Sequence, residues 1–219
     1  MKQNLRKIQL AEKVIVELGM GDGQGLQRLV EEFSGDRTIA YVGIEKDKIL
    51  AQQARMRVKS QNVMIINSMF EKSLVLFCDQ CIDLVVMVLP DPDYIDPINL
   101  EKWGPFYGQI IHSKLKDSGV LKVVTEIIND LLEPVSDATY STQVNWLIDA
   151  FFNLGFSLLT MKDGPPIGYA SFYLDKFGAD PQRIRIVTLD FVKLKKVPSQ
   201  LVLSNNCRQF SDYTSTVFP

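Results

Sequence analysis

The sequence predicts an α/β fold built on a seven-stranded, mostly parallel sheet with helices on both faces. Three observations predict it. Short apolar runs alternate with stretches whose apolar residues fall at helical spacing, the signature of repeated βα units. The runs are apolar almost throughout rather than at every second position, as strands are when helices cover both faces of a parallel sheet. The first run passes directly into closely spaced glycines and then into an amphipathic helix, the strand, turn and helix that open a doubly wound sheet.

The first strand covers 14–18. After the turn, Leu26, Leu29, Val30 and Phe33 recur at i, i+3, i+4 and i+7, so a helix over 24–34 lays one apolar stripe on the sheet. Strand 38–44, a helix over 46–60, strand 62–67 and a short helix over 70–77 follow. The run 82–89 is the most hydrophobic strand and takes the centre. It ends in Pro90-Asp91-Pro92-Asp93-Tyr94, where flanking prolines stiffen a loop and forbid helix just after the strand. A Pro- and Gly-bearing connection over 95–104 precedes helix 105–117 and strand 120–126. A loop with Pro134 leads to helix 139–154, ended by Gly155. Strand 156–161, a loop over 164–178 and a last strand over 183–193 complete the series. Residues 1–12 read as an N-terminal arm, 13–196 as the domain and 197–219 as a polar tail.

The chain has 219 residues and 46% hydrophobic content, enough to bury one sizeable core. Lysine and arginine number 24 against 26 acids, so the whole-chain charge makes no electrostatic case for nucleic acid and any basic surface must be local. No run approaches the ~18 apolar residues of a membrane helix, and the basic start, Lys2, Arg6 and Lys7, has no apolar stretch behind it. A soluble, cytoplasmic protein is the expectation. Cys78, Cys81 and Cys207 are an odd set without a disulfide-scaffold pattern. The pair Cys78 and Cys81 forms C-x-x-C, open to a redox or half-zinc reading, but no second ligand pair is near and the single histidine, His112, sits in an apolar helical stretch. No metal is expected.

Chemistry concentrates at the carboxyl ends of the strands, where open parallel sheets bind ligands. Gly19, Gly21 and Gly23 let the backbone take positive φ and approach a bound molecule closely, and the helix start adds unpaired N–H groups. In the dinucleotide fingerprint G-x-G-x-x-G the third glycine would fall on Gln24, whereas Gly23 stands one place early; the spacing disfavours a nicotinamide cofactor. Glu45 ends the second strand, where a carboxylate accepts ribose hydroxyl hydrogen bonds, or else it serves as a charge beside the first turn of the next helix. Asp91 faces the same cleft or makes an Asx turn between its prolines. Tyr94 and Trp103 offer stacking faces or pack under a loop.

The run E-x-G-x-G-x-G at 17–23 resembles motif I of the class I S-adenosylmethionine-dependent methyltransferases. With G-I-E at 43–45, I-D-x-V-x-x-x-x-P-D-P at 82–92, L-K-x-x-G-x-L at 115–121 and Ser171-Phe172-Tyr173-Leu174-Asp175-Lys176-Phe177, it is similar to the branch that methylates ring nitrogen seven of tRNA guanine. The resemblance implies a Rossmann-like methyltransferase fold and S-adenosyl-L-methionine as cofactor. It places Glu17, Gly19, Gly21, Gly23, Glu45, Ser68 and Met69 around that cofactor, with Glu17 near its methionine end. It makes RNA, and a tRNA guanine-like base above all, the acceptor. Asp91 and Glu126 would line the acceptor pocket as the catalytic pair, and Asp91, Tyr94, Ser171 and Tyr173 would hold the substrate.

Four positions depart from that branch. Asp93-Tyr94-Ile95-Asp96-Pro97 is acidic where the branch has a tryptophan and a histidine- and arginine-rich run; Ser68 replaces an aspartate, Glu126 stands where a Thr-Asp pair ends, and Leu174 replaces a glutamate. The tRNA grip is therefore lost or moved, and Lys176, Arg183, Arg185, Lys193, Lys195 and Lys196 either supply it or form a solvated strand face. A methyltransferase for a small metabolite, or a non-catalytic adenosylmethionine-binding partner subunit, are the other readings.

Overall fold

The computed structural model describes residues 8, 11–33, 36, 38–129, 131, 133–166, 169 and 171–195. Most of the arm expected over 1–12, the tail over 197–219 and Lys196 lie outside the described residues. Seven strands form one sheet: β1 (Lys13–Leu18), β2 (Ile39–Glu45), β3 (Val63–Asn67), β4 (Ile82–Val88), β5 (Leu115–Ile128), β6 (Phe156–Asp163) and β7 (Ile184–Lys193). Their order is β3-β2-β1-β4-β5-β7-β6. The first five run parallel, and β7 lies antiparallel between β5 and β6.

The helices are α1 (Gln24–Glu32), α2 (Lys48–Arg57), α3 (Phe70–Leu74), α4 (Leu100–Pro105), α5 (Asp137–Asn153) and α6 (Phe172–Gly178). Side-chain caps start three of them: Asp47 accepts from the Ile49 and Leu50 amides, Ser136 from Thr139 and Ser171 from Leu174. Val14, Val16 and Leu18 point into a core shared with Trp103, Tyr107 and Phe151. Ile15, between them, points the other way, against Leu26 and Leu29 of α1 and Ala51 and Ala54 of α2. The two-residue period of a strand sends alternate side chains to opposite faces, so a strand buried on both sides reads as a continuous apolar run.

The structure departs from the sequence reading where proline is involved. Pro92 and Pro97 each open a short 3-10 turn, Pro92–Tyr94 and Pro97–Asn99, capped by Asp91 and Asp96; at a first helical position the missing N–H is not needed. The helix expected to begin at 105 begins at Leu100 and carries Pro105 inside it, then continues through a π-helical stretch, Phe106–Ile111, and one α turn, His112–Lys114. Proline cannot donate to the ladder, and the hydrogen-bond pattern widens directly after it. β5 starts at Leu115 rather than at 120, with Lys116 donating to both oxygens of Asp83 on β4 at 2.9 and 2.8 Å. The loop expected over 164–178 contains α6, a helix of seven residues whose apolar period is too short to stand out.

Both edges of the sheet are guarded. On β3, Arg55 donates to the Ile65 carbonyl at 3.3 Å, and β6 carries a register shift between Leu158 and Thr160; an occupied carbonyl and a bulge both discourage further strand pairing.

Candidate functional site

The turn after β1 is built from left-handed glycines: Gly19 has φ 68°, Gly21 57° and Gly23 84°. The amides of Gly19 and Met20 both donate to the Ile44 carbonyl, at 2.9 and 3.3 Å, which folds the turn back over the end of β2. The three glycines differ in what surrounds them. A Cβ at Gly19 or Gly21 would meet nothing within 4 Å, so both face open space. A Cβ at Gly23 would lie 2.8 Å from the Ala54 Cβ, so Gly23 is set by its conformation and by packing on α2. Gly25, at the start of α1, is closed as well: a Cβ there would sit 2.4 Å from Glu17 Oε1 and 2.6 Å from the ring of Tyr169.

Glu45 is only 7% exposed, yet its carboxylate turns to the glycine turn rather than to the apolar core. Oε2 accepts from the Gly21 amide at 3.0 Å and Oε1 from the Asp47 amide at 2.8 Å. It therefore pins the turn and braces the entry to α2, and each oxygen keeps a further lone pair. Ser68 donates its amide to the Glu45 carbonyl at 3.0 Å, and Asn67 donates its side-chain amide to the same carbonyl at 2.9 Å. Ser68, with Met69 next to it before α3, thus lies beside the end of β2 that carries Glu45.

Glu17 is 3% exposed. Its Oε1 accepts from the Tyr169 hydroxyl at 3.1 Å, and its Oε2 is buried without a hydrogen-bond partner. Burial pushes its carboxyl up to about 8, with the Tyr169 bond opposing the rise and the charge of Asp22 adding to it. Tyr169, itself held well above the ordinary tyrosine range by burial and by Glu17, is a residue of this candidate site that no local signal marks. Leu89 is another: it leaves β4 with φ 49° and donates its amide to Val124 at 2.7 Å. A left-handed leucine carries about 1–2 kcal/mol of strain, held here between the central strand and Pro90.

The residues expected on the acceptor side are more scattered. Asp91 is exposed and accepts from the Asp93 amide at 3.1 Å, an Asx turn. Tyr94 is half-buried; its hydroxyl donates to Glu71 and its ring packs on Phe70 and Phe106, with centroids 4.7 and 5.6 Å away. Trp103 is buried and donates to the Asp96 carbonyl. Glu126 is half-buried on β5; burial raises its carboxyl above the ordinary value, and its Oε2 has no partner. Ser171 caps α6, and Tyr173 on that helix is exposed.

Three of the basic residues are already engaged within the fold, while Lys176 and Lys195 are exposed. Arg185 binds Asp137 at 2.7 Å and lies 3.8 Å over the Tyr140 ring, Arg183 pairs with Asp180, and buried Lys193 donates to the Leu115 carbonyl. Cys81 is buried, donates to the Cys78 carbonyl, and has its thiol pushed up to about 11 by burial. His112 bonds the Leu194 carbonyl at 3.0 Å and packs against Phe156. Among the described residues, no three His, Cys, Asp or Glu side chains converge to hold a metal, and no helix is long and apolar enough to cross a membrane.

No family model and no curated sequence matches the chain. Solved structures do. The 16S rRNA methyltransferase KamB aligns with a TM-score of 0.65 at 13% identity, over 88% of this chain and 92% of that one. A variant of the 16S rRNA (adenine(1408)-N(1))-methyltransferase from Catenulisporales acidiphilia, with cosubstrate SAM, aligns at 0.63 and 16% identity over 90% and 93%. An antibiotic-related methyltransferase aligns at 0.62 and 16% identity over 88% and 94%. The fold is the Rossmann-like fold of these methyltransferases, as the sequence predicted.

Proposed function

We propose that this protein is an S-adenosylmethionine-dependent methyltransferase. One observation carries the reading: the open space over left-handed Gly19 and Gly21, with the Glu45 carboxylate held beside it by the Gly21 amide. The residues present fit an adenosyl group, because open glycine backbone admits it closely and Glu45 keeps lone pairs for its ribose hydroxyls. Ser68 and Met69 would flank the same end, and Glu17 and Tyr169 would close the other. When bound, the cofactor supplies an activated sulfonium methyl, so the protein's task is to hold an acceptor lone pair in line at near-attack distance.

For the acceptor we propose an RNA base, tRNA guanine-like as the motifs suggest. The rRNA methyltransferases of the same fold support an RNA acceptor. Asp91 and Glu126 would accept hydrogen bonds from its N–H groups, with Tyr94, Ser171 and Tyr173 at the substrate side. A small-molecule acceptor is the second reading, favoured by Asp91, Asp93 and Asp96, which repel phosphates along the loop after β4.

Calorimetry with S-adenosylmethionine, S-adenosylhomocysteine and NAD tests the cofactor: both adenosyl ligands bind, NAD does not, and Glu45→Ala loses the binding. Failure of wild-type protein to bind either adenosyl ligand refutes the assignment. Methyl transfer to total RNA against a metabolite extract then separates the two acceptors.

A further inference from the structure

A concavity of about 400 Å³ opens between α3, the 3-10 turn Pro92–Tyr94 and α4. None of the glycine-turn residues lines it, and its size suits a small-molecule site. Tyr94, Trp103 and Phe106 give it aromatic walls, and Glu71 and Asp93 give it carboxylates. Glu71 accepts the Tyr94 hydroxyl through Oε1, while its Oε2 is buried and takes no hydrogen bond. A buried carboxylate oxygen without a donor is costly, so Glu71 is short of one donor. Carboxylates outnumber cations here: Glu71 and Asp93 line the cavity against the single Lys102, and with Asp91 they act on the Tyr94 hydroxyl, which burial already holds far above its ordinary range.

We infer that this cavity binds a small organic cation, an ammonium or guanidinium on an apolar body, whose N–H groups are donated to Glu71 while the body lies against Tyr94 and Phe106. Aromatic rings beside a carboxylate favour such a ligand twice, through the ring quadrupole and through a charge-assisted hydrogen bond. A phosphate is repelled by the same carboxylates, and a bare metal ion would lack oxygen ligands on the apolar walls. The acidic segment after Pro92, which fits poorly with gripping a polyanion, thereby acquires a role. The assignment rests on neither acceptor reading, and its test contains no cofactor.

Titration of the full chain with benzylammonium chloride and with uncharged benzyl alcohol, at matched ionic strength, tests it. Benzylammonium binds about 10-fold tighter or more, and Glu71→Gln, which keeps an acceptor for Tyr94, removes that preference without lowering the melting temperature. Equal affinity for the two probes in the wild-type protein overturns the assignment. So does a preference that appears only in Lys102→Ala, because the Lys102 ammonium at the cavity wall would then be the natural occupant. A preference that survives Glu71→Gln overturns it too.

Discussion

Glu17, next to last in β1, and Glu45, last in the neighbouring β2, are almost equally buried, yet their carboxylates live in opposite circumstances. Glu45 is met by two backbone amides, from Gly21 and Asp47. Glu17 faces one tyrosine hydroxyl and leaves an oxygen without a partner. Equal burial thus leaves two strand-end acids with unequal supplies of hydrogen-bond donors. Glu45 has a turn folded around it, whereas the donor nearest Glu17 arrives from a loop far along the chain.

Four substitutions break or sharpen this contrast. Glu45→Ala has the largest effect: it orphans the Gly21 and Asp47 amides, lowers unfolding stability by about 2–4 kcal/mol, and weakens adenosyl binding at least ~100-fold. Urea melts that move by less than about 1 kcal/mol would show that Glu45 does not hold the turn. Glu17→Gln acts in the opposite direction. The folded carboxyl titrates at about 8 against an ordinary value of 4.5, so between those values the folded state keeps a proton that the unfolded chain has released. The wild-type contribution is therefore fully present below about 4.5 and declines as the pH rises toward 8. The glutamine variant lacks that decline and is more stable than wild type by roughly 2–3 kcal/mol at pH 8; melts at pH 5 and pH 8 measure the difference.

Tyr169→Phe removes the hydroxyl from Glu17 and lowers stability by about 1–2 kcal/mol. The lost bond was holding the carboxyl down, so carbon-detected NMR should find Glu17 titrating above 8. Arg57→Ala has the smallest effect. Arg57 reaches the Asp22 carbonyl and carboxylate at 3.2 and 2.7 Å from an exposed position, and its loss changes stability by less than about 1 kcal/mol. A larger loss would move the anchoring of the turn from Glu45 to this surface pair.

The same contrast explains what could be read in advance. The glycine turn, Glu45 and the order of strands are local facts: an apolar run, a turn that only glycine makes easily, an acid at a strand end. Asp91 was legible too, since an aspartate before proline carries its own turn chemistry. Tyr169 was not, because its partner Glu17 lies 152 positions away and nothing in the intervening sequence registers which loop closes over the first strand. The bond between Tyr94 and Glu71 escaped for the same reason. Helix limits failed at Pro105, where a residue that normally stops a helix is accommodated by widening it.

The placing of β7 between β5 and β6 has a consequence for how the chain is made. The parallel strands from β3 to β5 can pair as they leave the ribosome, but β6 emerges with its partner β7 still unsynthesised, some twenty residues away. Until Lys193 has followed, the outer margin of β5 is bare and the apolar face of β6 has nothing to zip onto. Nascent chains stalled between these two strands are where trigger-factor-like holders should be found attached.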